Sequence, residues 1–134
     1  VYALVMRLDR RRRIRIGGLG LCDFEPGWYV YAGSARGAGG IRARVARHLR
    51  EDGRDKPRHW HIDHMRAAAR VVDVWTCTDP AVSEHDVARA LLGEPGAAVP
   101  VAGFGARDCR AGCLAHLVRL RGSPRRGLLR LGPG

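Results

Sequence analysis

Residues 28–49, WYVYAGSARGAGGIRARVARHL, change hydrophobic period halfway along, and that change decides how the chain folds. Trp28 to Ala32 has the aromatic and β-branched composition of a strand. Its period of two puts Tyr29 and Tyr31 on one face and Trp28 and Val30 on the other. Gly33 to Gly40 is rich in glycine and alanine and reads as a loop. From there Ile41, Val45 and Leu49 recur at i, i+4 and i+8, which predicts a helix over about 41–50. A strand with two phenols on one face therefore feeds a helix. Arg44 and His48 lie one turn apart along the edge of its apolar stripe, and Arg42, Arg47 and Arg50 point outward. That edge is where a site can form.

Working outward, Tyr2–Leu8, Arg13–Ile16 and Leu19–Phe24 read as further strands. An arginine run, Gly17-Gly18 and Pro26-Gly27 separate them, the punctuation of antiparallel hairpins. Downstream, Glu51 to Pro57 is a polar loop, His59–Arg70 a second helix with Trp60, Ile62, Met65 and Ala69 on its apolar side, and Val71–Cys77 a strand. Ser83 with Asp86 three residues later starts a third helix running to about Leu92. Gly93 to Gly105 is a Gly/Pro-rich connection and Leu114–Leu120 alternates as a last strand. The expected fold is α/β in the mixed α+β sense: a small antiparallel sheet flanked by helices. Its expected core contains Ile41, Val45, Leu49, Ile62, Met65, Val87 and Leu91. The domain spans residues 1–121, and 122–134 is a basic tail expected to be disordered.

The third helix carries the most informative acid. At 100° per residue Glu84 lies in the middle of the face bearing Val87, Ala88 and Leu91, while His85, Asp86 and Arg89 point away from it. A carboxylate there either escapes to solvent from the first helical turn, where acids are favoured in any case, or serves as a ligand in a cleft.

With 134 residues the chain holds one core and one site. Its 24 basic against 13 acidic residues give a net charge of +11, and all the basic residues but Lys56 are arginines. Arginine suits bidentate phosphate contacts, so a polyanionic partner is implied, although an Arg, Ala and Gly-rich composition also follows from a GC-rich genome. Charge does not choose between DNA and RNA. No stretch has the length and apolarity of a bilayer span and the opening residues lack a secretory pattern, so a cytoplasmic location with reduced thiols is expected. Cys109-x₃-Cys113-x₂-His116 supplies three ligands where a structural zinc takes four, and so does not by itself read as a zinc site. His59, His61 and His64 with Asp63 raise the same question at weaker spacing. His59 and His61 alternatively flank a substrate path.

A tyrosine in the first strand, Tyr31-Ala32-Gly33 ending a later one, Arg44 and His48 on the next helix and Glu84 on a later helix occur in the order of the GIY-YIG nuclease superfamily, which this chain resembles. The phrases Trp28-Tyr29-Val30-Tyr31-Ala32-Gly33-Ser34-Ala35, Arg44-Val45-Ala46-Arg47-His48-Leu49, His59-Trp60-His61-Ile62-Asp63 and Gly103-Phe104-Gly105 resemble most closely a small branch found alone or fused to DNA glycosylases of the endonuclease III type. Two features depart from the pattern. The glycine of the first triplet has no counterpart because the chain begins at Val1, and the region from Arg13 to Phe24 inserts an extra N-terminal hairpin.

The resemblance implies a metal-dependent DNA endonuclease linked to DNA repair or processing. Glu84 would hold Mg²⁺ or Mn²⁺, Arg44 would clamp the phosphate, Tyr2 or Tyr31 would position or deprotonate the attacking water, and His48 would assist proton transfer. Arg36, Arg42, Arg47 and His61 are the residues expected to contact DNA, and a DNA glycosylase or another repair enzyme is the expected protein partner. The rival reading is a non-catalytic DNA-binding module on the same fold.

Overall fold

The computed structural model describes residues 1–34, 40–49, 61–106 and 112–124, with Arg44 and His48 described through their backbone alone. Its elements in chain order are β1 (Tyr2–Leu8), β2 (Arg12–Arg15), a 3-10 turn (Gly17–Leu19), β3 (Leu21–Phe24), β4 (Gly27–Gly33), α1 (Gly40–Leu49), α2 (His61–Arg66), β5 (Arg70–Thr76), α3 (Glu84–Leu92) and β6 (Leu117–Leu120). Every residue of β1 except Arg7 is buried. A strand apolar on both faces belongs at a sheet centre, and β1 is an inner strand of a four-stranded sheet ordered β5-β1-β4-β6, antiparallel throughout. The extra hairpin, β2 with β3, forms a separate two-stranded sheet.

Alternation along β1 and β4 divides the core. Tyr2, Leu4, Met6, Leu8 and Tyr29 face one side, where Ile62 and Met65 of α2 are buried and Ile41 and Val45 of α1 are partly buried. Ala3, Val5, Val30 and Ala32 face the other, where they meet Val87 and Leu91 of α3. The sheet thus separates α1 and α2 from α3. The hairpin extends the first side, turning Ile14, Ile16, Cys22 and Phe24 inward. Its 3-10 turn lies against α2, with the Cβ position of Gly17 3.5 Å from His64 Nε2.

The structure revises several sequence-based expectations. Leu49 is 46% exposed at the last position of α1 and is not core. Helix α2 stops at Arg66: the backbone turns through Ala68 and Ala69, both N–H groups donating to the Met65 carbonyl, while the Arg66 guanidinium donates to the Ala69 carbonyl at 3.1 Å. The expected start of this helix at His59, with Trp60, lies outside the described residues. The last strand begins at Leu117, because the backbone before it is used elsewhere: Gly103 N–H donates to the Leu114 carbonyl, and His116 N–H to the Phe104 carbonyl. Leu114 is accordingly 67% exposed. The tail expected from residue 122 is described only to residue 124.

Arg47 does not point outward. Its guanidinium makes a bidentate pair with Asp63 at 2.7 and 2.9 Å, and Asp63 is fully buried. This pair ties α1 to α2 and removes Arg47 from the freely available phosphate-binding arginines.

The start of α3 agrees with its sequence signal. Ser83 Oγ accepts from Asp86 N–H, and the Asp86 carboxylate accepts from Ser83 N–H, closing a capping box. These hydrogen bonds hold the Asp86 carboxyl below its ordinary value, first through the Ser83 backbone. A depressed carboxylate contributes stability above the unfolded-state value and loses it as pH falls through the folded-state value. Ser83→Ala is expected to cost about 1 kcal/mol in urea unfolding at neutral pH, with a smaller cost at acid pH. A cost independent of pH would show that the Asp86 arm is not coupled to the cap.

Candidate functional site at one end of the sheet

The pairing register places Tyr2 opposite both Gly33 and Thr76, and Tyr31 opposite Leu117. The first residue of β1, the last of β4 and β5 and the start of β6 therefore share one sheet end. The connection from β5 to α3 brings Glu84 and His85 to that end as well, and the turn at residues 103–106 closes over it.

On the α1/α2 side the two phenols meet. The Tyr2 and Tyr31 rings are 6.5 Å apart, and Tyr31 stands edge-on to Phe104 at 6.2 Å. Tyr2 is 2% exposed and its ring lies over Gly33, where any Cβ would run into it. The glycine of Tyr31-Ala32-Gly33 is thus the residue that admits the first tyrosine. Tyr29 shares their face, as the period predicts, but its hydroxyl donates to the Glu25 carbonyl and burial pushes its phenol up. It is a structural residue. His61 Nδ1 accepts the Gly105 N–H at 2.9 Å and its ring packs on Phe104, so it pins the 103–106 turn to α2.

On the α3 side is a second polar group. Glu84 is half-buried, with Oε1 3.6 Å from His85 Nε2. His85 does not point to solvent as its helical position predicts: its side chain is 24% exposed, and its ring lies 5.2 Å from that of His116. His85 Nδ1 is 3.5 Å from Cys113 Sγ. His116 is 5% exposed, and its Nε2 has no hydrogen-bond partner among the described residues. Burial, with His85 second, pushes the His116 imidazolium down, while Glu84 opposes the shift. One ligand atom from each of His85, Cys113 and His116 lies within 4.8 Å of the others.

The two groups adjoin. The Cβ position of Gly105 is 2.9 Å from Tyr31 Cε1 and 3.4 Å from His116 Cβ, so the 103–106 turn is flanked by both. The structure therefore brings Tyr2, Tyr31, His61, His116, His85 and Glu84 to one sheet end, with the tyrosines on the face covered by α1 and α2 and Glu84 on α3, which covers the other. Arg44 and His48 lie on α1, their side chains outside the described residues, as are Arg36 and Cys109 in full. Arg42 is exposed on α1, as expected. Sequence reasoning missed His85 and the Asp63 partner of Arg47. An ionisable residue one position from a helix start is a faint signal for the first, and an acid among the apolar residues of a short helix would have flagged the second.

Cys22, Cys77 and Cys113 form no disulfide among the described residues. Among the described residues no helix is long and apolar enough to cross a membrane. A family model described as "Domain of unknown function DUF123" matches residues 1–129. No curated protein and no solved structure matches the chain.

Proposed function

The chain belongs to the DUF123 family, and from that premise we propose that it is a metal-dependent DNA endonuclease of GIY-YIG type acting in DNA repair or processing. The observation that supports this reading is a pair of adjacent phenols at one end of the sheet, with a half-buried carboxylate on the helix that starts at the same end, on a protein of net charge +11.

Phosphodiester hydrolysis needs an aligned water, neutralisation of charge on the phosphate and help for the leaving oxygen. A Mg²⁺ site typically uses one or two carboxylates and completes its shell with water and substrate phosphate. Glu84 fits this: its other oxygen has no partner among the described residues. The bound ion would supply Lewis-acid stabilisation of the phosphate. Tyr31, half-buried beside Tyr2, orients the attacking water, and Arg44 and His48 on α1 are the candidates for holding phosphate and moving a proton. The hairpin adds a DNA-facing surface. Its strand β2 exposes Arg12, Arg13 and Arg15. Arg13 pairs with Asp23, whereas Arg12 and Arg15 have no acidic partner among the described residues.

The second reading is a non-catalytic DNA-binding module. It is favoured by the packing of α3 on the sheet face opposite the tyrosines and by the pairing of Glu84 with His85. Incubation of the wild-type chain with linear, nicked, flapped and branched DNA separates the two. Nicking of at least one substrate with Mg²⁺ or Mn²⁺, and none with chelator, is expected. Binding without cleavage of any substrate by either metal would leave the module. Both readings require counterion release, so affinity between 50 and 200 mM salt is expected to fall by roughly 1,000-fold or more if six or more phosphates are contacted. Salt-insensitive binding would refute both.

A further inference from the structure

From the convergence of His85, Cys113 and His116 we infer a zinc site that staples the first turn of α3 to the segment leading into β6. The inference does not rest on the nuclease reading, since a chain that cuts no DNA can still hold zinc.

Three observations carry it. The first is distance. A tetrahedral zinc bound by one thiolate and one imidazole holds their sulfur and nitrogen about 3.6 Å apart. Cys113 Sγ and His85 Nδ1 are separated by 3.5 Å. All three ligand atoms fall within 4.8 Å of one another, so only a small side-chain adjustment is needed to gather them on one ion.

The second is the orphaned nitrogen. His116 is 5% exposed and its Nε2 is buried without a hydrogen-bond partner among the described residues. Leaving a buried polar group unsatisfied is costly, and such groups in folded proteins are normally partnered. The backbone of His116 is fixed on both sides: its N–H donates to the Phe104 carbonyl at 2.8 Å and its carbonyl accepts from Ala32 N–H at 2.9 Å.

The third is the orientation of His85. One ring nitrogen faces Cys113 while the other, Nε2, faces Glu84 Oε1 at 3.6 Å. A ligating histidine commonly directs its second nitrogen to a carboxylate, which fixes the ring and raises its basicity.

The donor chemistry selects the ion. One thiolate and two imidazoles disfavour Mg²⁺ and Ca²⁺, which take oxygen ligands. A copper centre of the His₂Cys type usually adds a weak axial methionine, and both Met6 and Met65 are buried in the core on the α1/α2 side. Zinc accepts this set in tetrahedral geometry, and where the protein supplies three ligands a water completes it. On binding, Cys113 loses its thiol proton to solvent and both histidines coordinate as neutral imidazoles. His85 and Cys113 are 28 residues apart, so the ion closes a long loop and joins two elements that packing alone must otherwise align.

The test uses the whole chain, purified without chelator and without affinity-column metals. Elemental analysis is expected to give about one zinc per chain. Titration of the metal-free chain with Co²⁺ is expected to give visible d–d bands and a near-ultraviolet thiolate charge-transfer band, both displaced by Zn²⁺. Cys113→Ser and His116→Asn are expected to weaken Zn²⁺ binding by at least about 100-fold, and Cys22→Ser, on the remote hairpin, to leave it unchanged. Circular dichroism on each variant separates loss of site from loss of fold. The inference is overturned if wild type contains no zinc and shows no charge-transfer band with Co²⁺. It is equally overturned if Cys113→Ser binds zinc as tightly as wild type, or if stoichiometric copper or iron occupies the native chain.

Discussion

Glu84→Gln is expected to lower metal-dependent DNA cleavage by at least about 100-fold while leaving DNA affinity within about twofold of wild type. The substitution keeps the shape of the side chain and its place in the first turn of α3, but removes the charge that a hard divalent cation requires. The effect on folding is small: an acid in a first helical turn contributes about 0.3–1 kcal/mol through the helix dipole. On the proposed reading DNA affinity rests on exposed arginines such as Arg12, Arg15 and Arg42, which the change does not touch. Binding and cleavage therefore separate in one variant. Cleavage by Glu84→Gln at the wild-type rate, measured under single-turnover conditions with saturating Mg²⁺, would remove Glu84 from the reaction.

Asp63→Ala is expected to destabilise the fold by about 3–5 kcal/mol, a large share of the roughly 5–15 kcal/mol that holds a domain of this kind together. The Asp63 side chain is fully buried and makes a bidentate ion pair with Arg47, whose side chain is 16% exposed. Truncating the acid removes the bidentate partner of a guanidinium that has little solvent around it. Replacing both partners removes that penalty, so Asp63→Leu with Arg47→Met is expected to recover most of the loss. Urea unfolding of the two single variants and the double variant measures the coupling. A loss below about 0.5 kcal/mol in Asp63→Ala would mean that Arg47 reaches solvent when unpaired. DNA binding by Arg47→Ala has to be read against this loss, because the residue holds α1 on α2.

Much of the fold was legible along the chain. Alternation assigned Tyr29 and Tyr31 to one face of β4, the Ser83 and Asp86 pair marked the start of α3, and Gly17-Gly18 and Pro26-Gly27 set off the additional hairpin. These are local rules: a period of 2 or 3.6 states which side of its own element a residue occupies, and a cap states where that element begins. They held for Ile62, Met65, Val87 and Leu91, which lie on the helix faces pressed on the sheet. They failed for Leu49, at the end of α1, because burial of a terminal residue depends on how far the neighbouring sheet extends.

What the tertiary structure alone decided is what lies opposite each face. The helical wheel turned Arg47 and His85 toward solvent, since nothing in α1 announces the arrival of Asp63 and nothing in α3 announces Cys113 and His116. The same holds for the sheet end: Tyr31 and His116 are far apart in sequence and become neighbours through strand register and the turn at residues 103–106. Short-range periodicity carries no information about such meetings. They follow from the packing of one element on another, where a few ångströms of displacement decide whether a charged side chain is solvated, paired or presented to a metal ion.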